Sequence, residues 1–341
     1  FMREMEYFGP YRGPANEVTR SLAKPGFPAG NWIGYSRDPD VLLMNYWKQV
    51  LDNMCAVEWW RWDNMGEEYQ PFLAPTFSPI GAGKEFMEDT RIIREGLGDL
   101  LIHYTMETHG IAMLYSMPST HIAHFDGNRS YGNLSRDHDR WHEAIHNAGL
   151  QFDYVTDRQL RLGEFDASKY KVLILAEAFA LGEKEAAVIR DFVAQGGTVI
   201  GDVRPGLYSD RCKPYEGGIL DELFGVKRTA KQDAMPIDRM RIQGVLNDTD
   251  VYMEWGNWYG KNIYPQMHVD PTVELTTGEA LGWSFPIHYH GGLKHPAGIV
   301  NSHGKGKAVL LNFSVYPAPF DALLRELLAA SGVEASIQVR A

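Results

Sequence analysis

The sequence predicts an α/β protein of two successive units, and three observations carry that expectation. From residue 110 to 226, short apolar strands alternate with amphipathic helices across Gly-containing joints, which specifies a parallel, doubly wound sheet with helices on both faces. Upstream, a strand, helix, strand, helix series places polar residues after its strands, the pattern of an α/β barrel whose sites sit at strand C-terminal ends. Between residues 227 and 300 helical periodicity disappears. There Trp255, Trp258, Tyr259, Trp283 and Tyr289 lie among Gly, Asn and Pro, so this stretch reads as a β-rich insertion or a large loop.

In the first unit, residues 1–108, Met2 to Phe8 is a strand and Gly9 to Gly30 a loop rich in Gly and Pro. Asn31 to Ser36 is a second short strand. Asp38 is an N-cap and Pro39 a first helical residue, opening a helix to Asp52 in which Leu42, Leu43, Tyr46, Trp47 and Val50 share a face. Strand 57–62 follows, then a loop, then a helix from Lys84 to Gly96. The apolar faces of helix 38–52 and strand 57–62 need cover from partner chains or from a longer parent polypeptide.

The second unit, residues 109–333, runs from an apolar strand at Ile111 to Tyr115 through a helix at 137–148 and a strand at Leu150 to Val155. Tyr170 to Leu175 is a buried strand, and Glu183 to Gln195 a helix stopped by Gly196-Gly197. Thr198 to Val203 is the next strand, which a right-handed crossover places beside 171–175. After the 227–300 segment, Lys307 to Phe313 is a buried strand and Phe320 to Ala330 a helix capped by Gly332, returning to the same sheet. Residues 334–341 open a further segment, with Ser336 to Arg340 reading as the start of a strand. Since Phe1 also stands in mid-element, a longer polypeptide is expected.

Composition excludes several classes. The 341 residues are 44% hydrophobic and 23% charged, which suits a globular protein with ample core. A formal net charge of −11 speaks against nucleic acid or anionic membrane as partner. Cys55 and Cys212 make neither a disulfide framework nor a metal cage. No apolar run is long enough to span a membrane, and with no visible signal peptide the expected location is cytoplasmic.

The densest motif is Val57 to Glu68, VEWWRWDNMGEE, a tryptophan-rich strand end followed by carboxylates. Indole faces stack on the C–H faces of a pyranose, while Arg61 and carboxylates bind hydroxyls or serve acid, base and nucleophile roles. The competing reading is a buried aromatic strand with a structural salt bridge. Glu58, alternating with the tryptophans, could face inward or into such a bridge. Two histidine groups have the residue type of a metal site. His288, His290, His295 and His303 read as loop residues, and His138, His142 and His146 as a polar or interface face of one helix. Gly304 and Gly306 fit a turn, since the spacing of a phosphate loop is missing. Neither metal nor cofactor is expected.

Taken together, Trp47 to Glu68, Lys171 to Gly206 (KVLILAEAFALGEKEAAVIRDFVAQGGTVIGDVRPG) and Gly218 to Val226 (GILDELFGV) resemble the second half of the family 42 β-galactosidases. The resemblance implies the end of a (β/α)8 glycoside hydrolase barrel. It implies next a trimerisation domain with the flavodoxin-like architecture of class I glutamine amidotransferases. Residue by residue, it makes Trp60, Arg61, Trp62 and Glu67 or Glu68 substrate-binding groups, with spacing shorter by two or three residues than the family's. Glu6 matches the nucleophile that ends the seventh strand. The interval from Glu6 to Trp59 is long, however, so Glu6 could end the sixth strand, leaving 31–36 as a seventh strand with no carboxylate.

The same resemblance places the general acid on a fourth strand upstream of Phe1, so this chain alone should not hydrolyse glycosides by the retaining two-carboxylate route. It further implies a homotrimer and a carbohydrate substrate. A working glutaminase needs a cysteine on a strand-to-helix elbow. Here Arg204, Pro205 and Gly206 follow the strand, and Cys212 lacks flanking glycines. Two classes remain: part of a β-galactosidase-type hydrolase, or a non-catalytic carbohydrate-binding or oligomerisation scaffold.

Overall fold

A computed structural model of the chain describes residues 15–24, 27–34, 36, 38–60, 73–74, 76–125, 134–229, 234–256, 267–286, 294–315 and 317–336. The chain divides into two compact units, Phe1–Glu107 and Thr108–Ala341. No described helix is long and apolar enough to cross a membrane.

The first unit contains α1 (Ala15–Leu22), β1 (Gly30–Gly34), α2 (Pro39–Leu51), β2 (Ala56–Trp60), α3 (Gly81–Asp89) and α4 (Gly98–His103). β1 and β2 are parallel neighbours, with Gly30 opposite Ala56 and Gly34 opposite Trp60. Parallel pairing requires a crossover, which α2 supplies. That helix begins as the sequence dictates: the Asp38 carboxylate accepts the Asp40 N–H at 2.9 Å, and Pro39 opens the first turn. At the strand N-terminal ends, Asn31 donates to Asn16 at 2.6 Å and Asn16 to Asp52 at 2.8 Å, satisfying three buried polar side chains. The predicted helix 84–96 is shorter than its periodicity implied. α3 stops at Asp89, and a π-helical turn at Ile93–Leu97 holds Gly96 at φ 131°, a conformation that only glycine adopts readily. The predicted strand 2–8 lies outside the described residues.

The second unit begins with β3 (Ile111–Tyr115), α5 (Met117–Phe125), α6 (Leu134–Asn147), β4 (Asp153–Thr156) and α7 (Asp157–Leu162). It continues through β5 (Val172–Leu175), α8 (Glu183–Ala194), β6 (Thr198–Gly201), α9 (Asp221–Phe224) and β7 (Val226–Lys227). Then come β8 (Met235–Leu246), β9 (Thr249–Gly256), β10 (Met267–Val269), β11 (Glu274–Leu275), β12 (Glu279–Pro286), β13 (His295–His303), β14 (Gly306–Leu311) and α10 (Pro317–Ala330). Ten of these strands make one sheet in the order β10-β8-β12-β13-β14-β6-β5-β3-β4, with β9 also on β8.

From β4 to β14 the pairing is parallel, and Val172 stands opposite Thr198, so β5 and β6 are neighbours as the short crossover through α8 predicts. Leu173 and Leu175 pack with Ala186, Ile189, Phe192 and Val193 of α8 in one buried cluster. α6 and α10 stand outside that cluster and pack on one another, Trp141 meeting Phe320 edge-on at 5.0 Å between ring centres. Helices therefore cover both faces. At the α7 start Thr156 and Gln159 form a capping box, and Gly163 ends the helix at φ 71°.

The strands of 110–226 and 307–313 pair in parallel as expected, and the 227–300 segment, expected as a β-rich insertion or a large loop, is β-rich and continues their sheet. β13 pairs antiparallel with β14, and β12, β8, β9 and β10 extend outward from it, so the 227–300 segment prolongs the same sheet as a mixed one. The hairpin between His303 and Gly306 starts this extension by laying β13 along the open edge of β14. β9 shows why helical periodicity vanished: Val251, Met253 and Trp255 are buried in strict alternation, the pattern of an antiparallel strand with one face solvated. Trp258, Tyr259 and Tyr289 lie outside the described residues.

Candidate functional site

The tryptophan-rich strand splits between two environments. Trp59 lies 5.1 Å from the Phe86 ring of α3, which in turn meets Tyr46 of α2 edge-on at 4.7 Å. With Leu42, Leu43 and Phe86 it lines a small cleft between α2 and α3. Trp59 is thus packing between strand and helices, in keeping with the competing reading of the motif for this one indole. Alternation then places Glu58 on the opposite face of β2. Trp60 ends β2 beside Gly34. Glu6, Arg61, Trp62, Glu67 and Glu68 lie outside the described residues.

The second place to look is the carboxyl edge of the parallel strands. Read along the chain, the parallel strands run second, first, third, fourth, fifth, and in such sheets ligands enter beside the first strand, where the order reverses. At that place, beyond β3 and β5, the segments that follow the two strands hydrogen-bond to one another. The Ser116 and Ser119 hydroxyls both donate to the Ala180 carbonyl at 3.3 Å, and the Ala180 N–H donates to Ser119 at 3.0 Å. Behind them His138 stacks on Tyr154 and meets Tyr115 edge-on.

Two non-glycine residues with positive φ follow the next two strands: Glu177 at 42° after β5 and Arg204 at 62° after β6. Such backbone strain gathers at functional elbows. The Glu177 N–H donates to Asp202 at 2.7 Å, and the Trp141 indole donates to the other Asp202 oxygen at 2.9 Å. Arg204, only 3% exposed, donates to a fully buried Asp270 at 3.0 Å. The elbow after β6 thus holds a structural cation, not a thiol. Cys212, half-buried with φ 59°, donates weakly to the Pro118 carbonyl, and burial with nearby Asp210 raises its pKa, which disfavours the thiolate that a nucleophile needs.

The described histidines of the two groups fall on β13 and α6. His295 and His303 occupy opposite ends of β13, on the order of 26 Å apart at strand rise, too far for one ion. His288 and His290 lie outside the described residues. On α6, the His142 and His146 rings lie 4.1 Å apart, tilted by 49°, beside Phe152, and His146 contacts Gln151 at 3.1 Å.

Complete burial lowers the His138 pKa to about 4, against a weaker opposing hydrogen bond with Ala176. The neutral form is therefore the folded form. Its stabilisation is complete above the unfolded pKa of about 6.5 and is lost as pH falls towards 4, at about 1.4 kcal/mol per pH unit and roughly 3 kcal/mol in all. Denaturant midpoints measured between pH 7 and 4 should show this slope in the wild type. It should flatten in His138→Phe; an unchanged slope would contradict the assignment.

The second unit is thus a mixed sheet flanked by helices, with Arg204 at the elbow after β6 held in a buried ion pair with Asp270. Residues 109–334, more than half of the chain, match the model of the β-galactosidase trimerisation domain. The chain belongs to that family, and its expected resemblance to the family 42 β-galactosidases is thereby upheld. Similar solved structures include the β-galactosidase from Bacillus circulans sp. alkalophilus, at TM-score 0.75 and 16% identity over 98% of this chain and 51% of that one. The enzyme from Rahnella sp. R3 gives 0.71 and 15%, over 97% and 51%. The enzyme from the haloarchaeon Halorubrum lacusprofundi gives 0.69 and 16%, over 93% and 46%. At such identities the likeness concerns the fold. The chain spans about half the length of these structures. No curated protein matches it in sequence.

Proposed function

We propose that this chain is part of a β-galactosidase-type glycoside hydrolase acting on β-linked sugars by the retaining two-carboxylate mechanism. Residues 1–108 close its (β/α)8 barrel, and 109–333 form its amidotransferase-like trimerisation domain. The observation that carries this reading is the parallel β1–α2–β2 unit, whose second strand runs into Trp60-Arg61-Trp62, directly before a domain of the trimerisation family. A barrel puts its chemistry at that strand end.

In this mechanism one carboxyl protonates the leaving oxygen while another, about 5 to 5.5 Å away, attacks the anomeric carbon and forms a glycosyl-enzyme. Trp60 and Trp62 stack on the sugar, Arg61 and Glu67 or Glu68 bind its hydroxyls, and Glu6 is the nucleophile. The general acid stands on an earlier barrel strand, so residues 1–341 alone bind sugar without hydrolysing aryl β-galactosides. In the intact enzyme, Glu67→Gln or Glu68→Gln should lower kcat/KM by about 10- to 100-fold, the worth of a charged hydrogen bond. Wild-type turnover by both variants would end the binding role.

One observation favours the second reading, a carbohydrate-binding or oligomerisation scaffold. Among the described residues, the strand that pairs with β2 is β1, and Gly30–Gly34 contains no carboxylate where a penultimate strand would present its nucleophile.

A further inference from the structure

We propose that Trp32 and Glu58 form an aromatic–carboxylate pair in the sugar-binding wall, on the face of β1 and β2 turned away from the helices. The inference deepens the hydrolase reading and rests on it. Trp32 stands opposite Glu58 in the parallel register, and Ile33 opposite Trp59. Paired residues of parallel strands lie on one face about 4.8 Å apart, and successive residues lie on opposite faces. Ile33 is buried and Trp59 is committed to Phe86 of α3, which fixes that face as the helix side. Trp32 and Glu58 therefore share the other face, which in a closed barrel is the interior.

Their environment fits a pocket wall. Trp32 is 36% exposed although its strand is covered by helices on the far side, and Glu58 is half-buried. The main chain behind them is held firmly: Gln49 of α2 donates to the Trp32 carbonyl at 3.2 Å, and the Asn31 side chain accepts the Trp32 N–H at 2.7 Å. A rigid strand thus presents an indole face beside a carboxylate, which suits a β-linked hexoside: the ring stacks on C–H groups and the carboxylate accepts from hydroxyls.

The test measures kcat and KM of the intact protein on an aryl β-galactoside, galactose binding by calorimetry, and thermal midpoints. Glu58→Gln should raise KM at least about tenfold at an unchanged midpoint, and Trp32→Ala should raise it by as much, with Trp32→Phe recovering most of the loss. Trp59→Phe should show the reverse: a lowered midpoint and an unchanged KM. Wild-type KM in Glu58→Gln and Trp32→Ala overturns the pair and leaves the hydrolase reading standing. So does a KM rise in Glu58→Gln that appears only together with a lowered midpoint. A wild-type protein that neither turns over the galactoside nor binds galactose defeats the hydrolase reading, and the pair with it.

Discussion

Replacing Asp270 by alanine is expected to destabilise the second unit by about 3–5 kcal/mol, because it strands the buried Arg204 guanidinium in the protein interior. The carboxylate is fully buried and joins three parts of the sheet. It accepts from Arg204 after β6, and from the Thr272 N–H at 2.9 Å and hydroxyl at 2.7 Å. Asn312, beyond β14, bonds the Asp270 main chain on both sides, its oxygen taking the N–H and its amide donating to the carbonyl, each at 3.0 Å. The pair itself need not be favourable relative to apolar packing. Removing both charges, as Arg204→Met with Asp270→Leu, should recover much of the loss. Denaturant midpoints of the single and double variants measure this, and a single variant within about 1 kcal/mol of wild type would contradict the geometry.

Trp141→Ala should cost a comparable amount, about 3–5 kcal/mol, chiefly from the cavity left between α6 and α10. The indole is fully buried, meets Phe320 edge-on, and donates to Asp202, the same carboxylate that holds the strained Glu177 N–H. Trp141→Phe keeps most of the volume and loses only the hydrogen bond, so it should cost about 1–3 kcal/mol. If the two variants are equally stable, the cavity is not the dominant effect.

Much of the second unit was legible in the sequence because its signals are local. Continuous apolar runs such as Val172–Leu175 mark strands buried on both faces, and Gly196-Gly197 marks the helix end. The mixed edge of the sheet was not legible, because period-two alternation in β9 identifies a strand without naming its partner. The kink at Gly96 was hidden for a related reason: apolar spacing continues across a residue whose backbone leaves the helix. In the first unit the motif marked a strand, found as β2, but treated its tryptophans alike. Only packing separates Trp59, turned to α3, from Glu58 on the other face. The Arg204–Asp270 pair, between residues distant in sequence, leaves no local signal at all.

The central claim is that the protein belongs to a retaining hydrolase of β-linked sugars, and covalent trapping tests it most directly. The intact protein is incubated with a 2-deoxy-2-fluoro-β-galactoside bearing a good leaving group, which lets the glycosyl-enzyme form and slows its hydrolysis. Mass spectrometry of the protein and its tryptic peptides then locates the sugar. The account predicts one fluorosugar per chain, on the peptide of residues 4–12 that contains Glu6. A protein that gains no sugar mass and releases no aglycone would contradict it and leave the scaffold reading in its place.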